Sequence, residues 1–219
     1  MDFEISYRNR LNILLILLCC LLQNCHQELT DEIVIYSNDF SDEDIEGIEN
    51  AMLNTFDGNK VLGFYNNGEL KWNFQELPDH KAVRITLDIF LHDSWDGNLS
   101  LPSGPDIWYL NVDNEAIINT TFSTSPCNPR YCLFQSYPEN YPSNLNPKTG
   151  SLSSDFLGRC HMQDELGYTS RYVITKVVPH KSDYIEITMG DILVQENSDN
   201  PLCDESWSLN GITISVLHE

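Results

Sequence analysis

The chain has 219 residues and a formal net charge of -21, from 12 Lys and Arg against 33 Asp and Glu. Such a surface repels nucleic-acid phosphates and anionic membrane faces and suits cations and neutral ligands. Past its N-terminal segment the length corresponds to one domain of ordinary size, able to bury a core.

Arg8 and Arg10 precede an apolar stretch from Leu11 to Leu22. That stretch is too short for a spanning helix of about 20 residues and fits the apolar region of a signal peptide over 1–24. Removing it deletes Asp2 and Glu4 along with the two arginines, so the charge balance survives. Leu22-Gln23-Asn24-Cys25 resembles a bacterial lipobox, which implies acylation of Cys25 and membrane attachment only through an N-terminal lipid. Residues 25–32 then form an acidic tether. The expectation is an exported protein, an outer-membrane or cell-surface lipoprotein or else secreted. Asn98-Leu99-Ser100 and Asn119-Thr120-Thr121 fit the glycosylation pattern and keep a eukaryotic origin open.

Strand patterns dominate residues 33–219. Ile33 to Tyr36 opens the fold. Val61 to Tyr65 and Leu70 to Phe74 flank Asn66-Asn67-Gly68, which reads as a hairpin turn. The one segment with a helical pattern is short, around Asp44 to Asn54, with Gly47 against it. Val83, Ile85, Leu87, Ile89 and Leu91 alternate with Arg84, Thr86 and Asp88, a half-buried strand. Ile107 to Val112 and Ala116 to Phe122 flank Asp113-Asn114, a second hairpin. Tyr172 to Val178, Tyr184 to Met189 and Ile212 to Leu217 complete the set. Pro78-Asp79-His80-Lys81 and, a hundred residues later, Pro179-His180-Lys181 lead strands of the same pattern, as two related Greek keys would. The fold class is all-β, a two-sheet jelly-roll-like β-sandwich.

Residues 124–165 break the pattern with five prolines and little periodicity, a long excursion of the functional kind. Cys127, Cys132, Cys160 and Cys203 are an even set compatible with three pairings. The economical ones are Cys127–Cys132, closing a small loop, and Cys160–Cys203, tying the excursion to the C-terminal strand; a four-cysteine zinc site is the rival.

The chemistry concentrates in Leu91-His92-Asp93-Ser94-Trp95-Asp96-Gly97-Asn98 and Gly104-Pro105-Asp106. Asp93, Asp96, Asn98 and Asp106 offer oxygens to a calcium ion around a glycine free to take positive φ, with Asp204 or Glu205 able to join from the last strand. An EF-hand is excluded because Gly104 stands where its closing Glu belongs. The alternative is a solvated acidic turn. Trp95, Tyr137 and Tyr141 are the candidate ligand-binding aromatics, with Trp95 equally able to plug the core; Trp108 and Trp207 read as structural. His80, His92, His161 and His180 are too scattered for a ligand set. No G-x-S-x-G, H-E-x-x-H or phosphate-binding glycine loop is present, which leans against an enzyme.

Together, Leu77 to His80, the strand through Asp88, the Asp93 to Asn98 run, Gly104-Pro105-Asp106 and Asp204-Glu205-Ser206-Trp207 resemble a group of secreted bacterial and protist surface domains. More loosely, the chain is similar to calcium-containing jelly-roll carbohydrate-binding modules. That resemblance implies a structural cation near the first and last strands, pointing to Asp39 and Glu205, although Asn210-Gly211 departs from the modules' closing strand. The expectation is an exported, surface-anchored, calcium-binding sandwich that recognises a glycan or cell-surface partner. The alternatives are a structural or adhesive surface protein without a sugar site and a polysaccharide-acting enzyme.

Overall fold

A computed structural model describes residues 31–100, 104–194 and 198–218. The expected signal peptide, Cys25 and most of the expected tether lie outside the described residues. Among the described residues, twelve strands and two short 3-10 turns make up the fold. In chain order the strands are β1 (Glu32–Asn38), β2 (Ile48–Glu49), β3 (Leu53–Phe56), β4 (Asn59–Tyr65), β5 (Glu69–Phe74), β6 (Ala82–Asp93), β7 (Ile107–Val112), β8 (Glu115–Thr121), β9 (Ser153–Leu157), β10 (Leu166–Pro179), β11 (Ile185–Ile192) and β12 (Glu205–Leu217).

A seven-stranded sheet runs β3-β4-β12-β6-β10-β9, with β1 also on β12, and a five-stranded sheet runs β2-β5-β11-β7-β8. From β4 to β12 the chain repeatedly changes sheets, so that β4-β12-β6-β10 faces β5-β11-β7-β8. This is the double Greek key of a jelly roll. β12 is long enough to hold two partners along one side: Trp207 to Leu209 pair with β4, and Ile212 to Leu217 pair with β1.

The alternation in β6 sends Val83, Ile85, Leu87, Ile89 and Leu91 into the space between the sheets, each essentially unexposed. Leu70 and Trp72 on β5, Trp108 and Leu110 on β7, and Ile185, Ile187 and Met189 on β11 meet them from the other sheet. On the outer face Arg84, Thr86 and Asp88 are half-buried. Asp88 there takes a two-pronged contact from Arg171, at 2.8 Å from Nε and 2.5 Å from Nη2, and a third from Asn210 at 2.8 Å. The pair is partly open to water, so its strength is screened. Arg171→Ala should lower the unfolding free energy in urea by about 1 kcal/mol, and no change would show that solvent already cancels the pair.

Two expectations are corrected. No helix occupies 44–54: Gly47 and Asn50 adopt φ of 75° and 62°, outside helical backbone, and the segment enters β2 and β3. Asn66-Asn67-Gly68 does not join a hairpin, because β4 and β5 lie in different sheets. The Asp191 carboxylate on β11 accepts the amides of Asn67 and Gly68, which holds the turn to the smaller sheet. The β7–β8 hairpin does form, with Asp113 and Asn114 both at positive φ as a type I′ turn requires. Both expected disulfides, Cys127–Cys132 and Cys160–Cys203, are present.

Candidate functional site

At one end of the sandwich β6 finishes at Asp93 opposite the first residue of β12, Glu205. The loop that follows folds back so that the Asp96 amide donates to Asp106 Oδ2 at 2.6 Å and the Asp106 amide donates to the Gly97 carbonyl at 3.0 Å. Gly97 has φ of 67°, and a Cβ there would lie 2.3 Å from the Phe134 carbonyl oxygen, so only glycine admits the excursion's backbone. Ser94 binds Asp204 through its amide and hydroxyl. The loop thereby brings Asp93, Asp96 and Asp106 beside Asp204 and Glu205.

These carboxyls share an unfavourable setting. Asp93 and Asp106 are fully buried and Glu205 is nearly so. Asp93 Oδ2 and Asp106 Oδ1 have no hydrogen-bond partner. Burial pushes Asp93 up to about 7 and Asp96 up to about 6, and the Asp204 charge adds to both. Asp106 and Glu205 are raised by burial first and by neighbouring carboxylates second, their carboxyl groups interacting directly. Two acceptors facing one another need a proton or a cation between them. Among the described residues no three of His, Cys, Asp and Glu already converge tightly enough to hold a metal ion.

Arg159 borders this end. Its amide donates to Asp93 Oδ1, its guanidinium donates to Ser206 Oγ at 2.7 Å, and the guanidinium carbon lies 3.2 Å from the centre of the Phe64 ring. The Cys160–Cys203 bridge ties the residue after Arg159 to the residue before Asp204. The disulfide thus holds both sides of the acidic end.

Other expected site residues fall elsewhere. Asn98 accepts from Ser136 Oγ at 2.9 Å and from Thr121 Oγ1, and donates to Ser143 and Asn144, so its amide anchors the excursion. Asp39 binds Ser41 and borders a groove of about 400 Å³ with Asp42 and Asp88. Its neighbour Asn38 pairs with Ile212, seven residues along β12 from Glu205, or about 20 Å at the rise of a strand. The structure therefore does not bring Asp39 to the acidic end.

The expected platforms Trp95 and Tyr137 are corrected to core. Trp95 is unexposed and donates from Nε1 to the Ser206 carbonyl at 2.9 Å. Tyr137 stacks on Phe122 with ring centres 4.8 Å apart. Trp108 and Trp207, expected to be structural, are likewise buried. Tyr141 remains exposed, and its amide donates to Asn119 at the border of a cavity of about 310 Å³ on the outer face of the five-stranded sheet. Glu69, Tyr109, Asn111 and Ile192 line that cavity. Gly190 lies beneath it: a Cβ there would be 2.5 Å from Tyr109 Oη, so the glycine lets the ring lie against the sheet. Tyr109 Oη donates to Glu69 at 2.8 Å.

Two features escaped the sequence. His80 and His180, judged scattered, meet with a 2.7 Å contact between ring nitrogens, and His180 Nε2 lies 3.0 Å from the Asp113 carboxylate. The repeated Pro and His-Lys segments were the signal, because β6 and β10 pair antiparallel and bring their outer ends together. The second feature is a group of rings on the solvent side of the larger sheet. β6 stops alternating at Phe90, and Phe90 and His92 are buried on its outer face.

No protein-family model matches the chain, and no curated protein matches it. Among solved structures, it is similar to a carbohydrate-binding module from Cellvibrio mixtus lichenase 5A in complex with cellotriose, at 11% identity over 85% of this chain and 100% of that one, with a TM-score of 0.36. A family 35 carbohydrate-binding module from Clostridium thermocellum matches at 11% identity over 84% and 98%, with a TM-score of 0.35. Peanut lectin matches at 8% identity over 87% and 100%, with a TM-score of 0.34.

Proposed function

We propose that the chain is an exported, surface-anchored calcium-binding sandwich that recognises a glycan through the outer face of its five-stranded sheet. The observation that carries the calcium reading is the pair of buried carboxylate oxygens, Asp93 Oδ2 and Asp106 Oδ1, left without partners among five acidic side chains. A native fold satisfies its buried polar atoms, and a divalent cation with oxygen ligands satisfies these while cancelling their repulsion. Asp93, Asp96, Asp106 and Glu205 would hold it, with Asp204 beside them. Calcium here serves the fold. It neutralises the end of β6, the start of β12 and the loop between, and so keeps the excursion in place.

The sheet face suits a sugar by its chemistry. A tyrosine ring lying on the sheet offers an apolar surface to pyranose C–H groups, and Glu69, Asn111 and Asn119 offer hydrogen bonds to hydroxyls. Tyr141 stands at its edge. A glycan array probed with and without chelator tests the reading. Tyr109→Ala should weaken binding to the best ligand about tenfold, the scale of a central aromatic contact. No binding to any glycan with calcium present would favour the structural or adhesive alternative.

A further inference from the structure

We propose that a second groove, between the β3–β4 hairpin and β9 on the outer face of the seven-stranded sheet, binds a pyranose unit of a neutral glycan chain. The proposal rests on the glycan reading above but on different residues. Its starting point is the break in β6. A strand with one wet face should turn residues 90 and 92 to solvent, yet Phe90 is 1% exposed and His92 is unexposed. They are covered by Phe56 from β3, Phe64 from β4 and Phe156 from β9. Phe56 lies 5.0 Å from Phe90 and 4.5 Å from His92 between ring centres, and Phe156 lies 5.4 Å from Phe90. None of these phenylalanines belongs to the core between the sheets.

Phe56 and Phe156 keep part of their surfaces open, with centres 6.3 Å apart, and together they border a groove of about 390 Å³. The volume falls in the range of small-ligand sites. Asp57, Asp155 and Gln163 stand around it, with Leu157 and Gly158 completing the wall. Asp57 and Gly58 both take positive φ at the hairpin tip, a turn that places residue 57 at the rim of the groove. Rings set by a buried layer beneath them, bordered by two carboxylates and an amide, match a sugar's apolar face and hydroxyl rim. The carboxylates and the net charge of -21 disfavour anionic saccharides.

The test is calorimetric titration of the intact mature protein, in calcium, with neutral gluco-, xylo- and manno-oligosaccharides and with an oligouronate. Asp155→Ala and Gln163→Ala change exposed side chains and keep the test valid where Phe156→Ala unfolds the cluster. Phe156→Ala or Asp155→Ala, with an unchanged melting temperature, should remove one binding event or weaken it at least tenfold, while Tyr109→Ala leaves that event intact. Wild-type binding that survives undiminished in Asp155→Ala and Gln163→Ala overturns the groove and leaves the glycan reading standing. Preference for the oligouronate overturns the ligand class. A wild-type protein that binds no saccharide in the titrations or on the array overturns both.

Discussion

Calcium should raise the melting temperature of the mature protein by about 5–10 °C at pH 8 and by far less at pH 5. Binding to the folded state alone stabilises by about 2.7 kcal/mol at a hundredfold excess over Kd. The pH dependence follows from the buried carboxyls. Asp93, Asp96, Asp106 and Glu205 all have folded pKa values above their ordinary ones, chiefly through burial. Between about pH 4 and those raised values the folded state holds protons that the unfolded state has released. Without metal, stability therefore falls as pH rises through that window. Calcium competes with the same protons, so its benefit grows over the same range. Asp96→Asn should remove most of the rise, and magnesium should replace calcium poorly because it demands a tighter octahedral shell. Asp106→Asn separates the terms: it should raise the metal-free melting temperature at pH 8 by removing a buried charge, and lower the calcium-dependent gain. A melting temperature that ignores calcium at pH 8 would sink the metal reading.

Local pattern was legible wherever one strand or one turn carried its own instruction. The β6 alternation as far as Ile89 and the Asp113-Asn114 turn say in a few residues what the fold does there. The failures share a different cause. Asn66-Asn67-Gly68 has hairpin composition, but the Asp191 carboxylate that decides its course lies over 120 residues away. Trp95 sits among polar residues and looks like a platform, yet the carbonyl that receives its indole N–H belongs to Ser206. Asn98 looks like a calcium ligand until Ser136 and Thr121 take its oxygen. Phe90 fits the alternation as an outward residue, and only the arrival of β3 and β9 buries it. Polar side chains at loop ends are committed by partners from elsewhere in the chain, which a single strand's periodicity does not encode.

Breaking the Cys160–Cys203 bridge should cost about 4 kcal/mol, the loop-closure value for a separation of 43 residues. The loss should also be local in its consequences. The bridge joins the short turn at Cys160–Met162 to the turn at Pro201–Cys203. The first follows Arg159, whose amide binds the Asp93 carboxylate, and the second leads directly into Asp204 and Glu205. Without the covalent tie, the charges of Asp93, Asp96, Asp106, Asp204 and Glu205 can relax by moving apart, held back by the contacts of Arg159 with Asp93, Leu202 and Ser206 and of Ser94 with Asp204. A Cys160→Ser, Cys203→Ser double variant should therefore lose both stability and most of its calcium response at pH 8. The Cys127–Cys132 bridge spans only five residues and closes a loop on the exposed excursion. Its removal should cost less and leave the calcium response in place. Urea unfolding with and without calcium distinguishes the two variants. Equal calcium gains in both would mean that the acidic end keeps its geometry without the longer bridge, and that the disulfide stabilises the chain as a whole rather than this site.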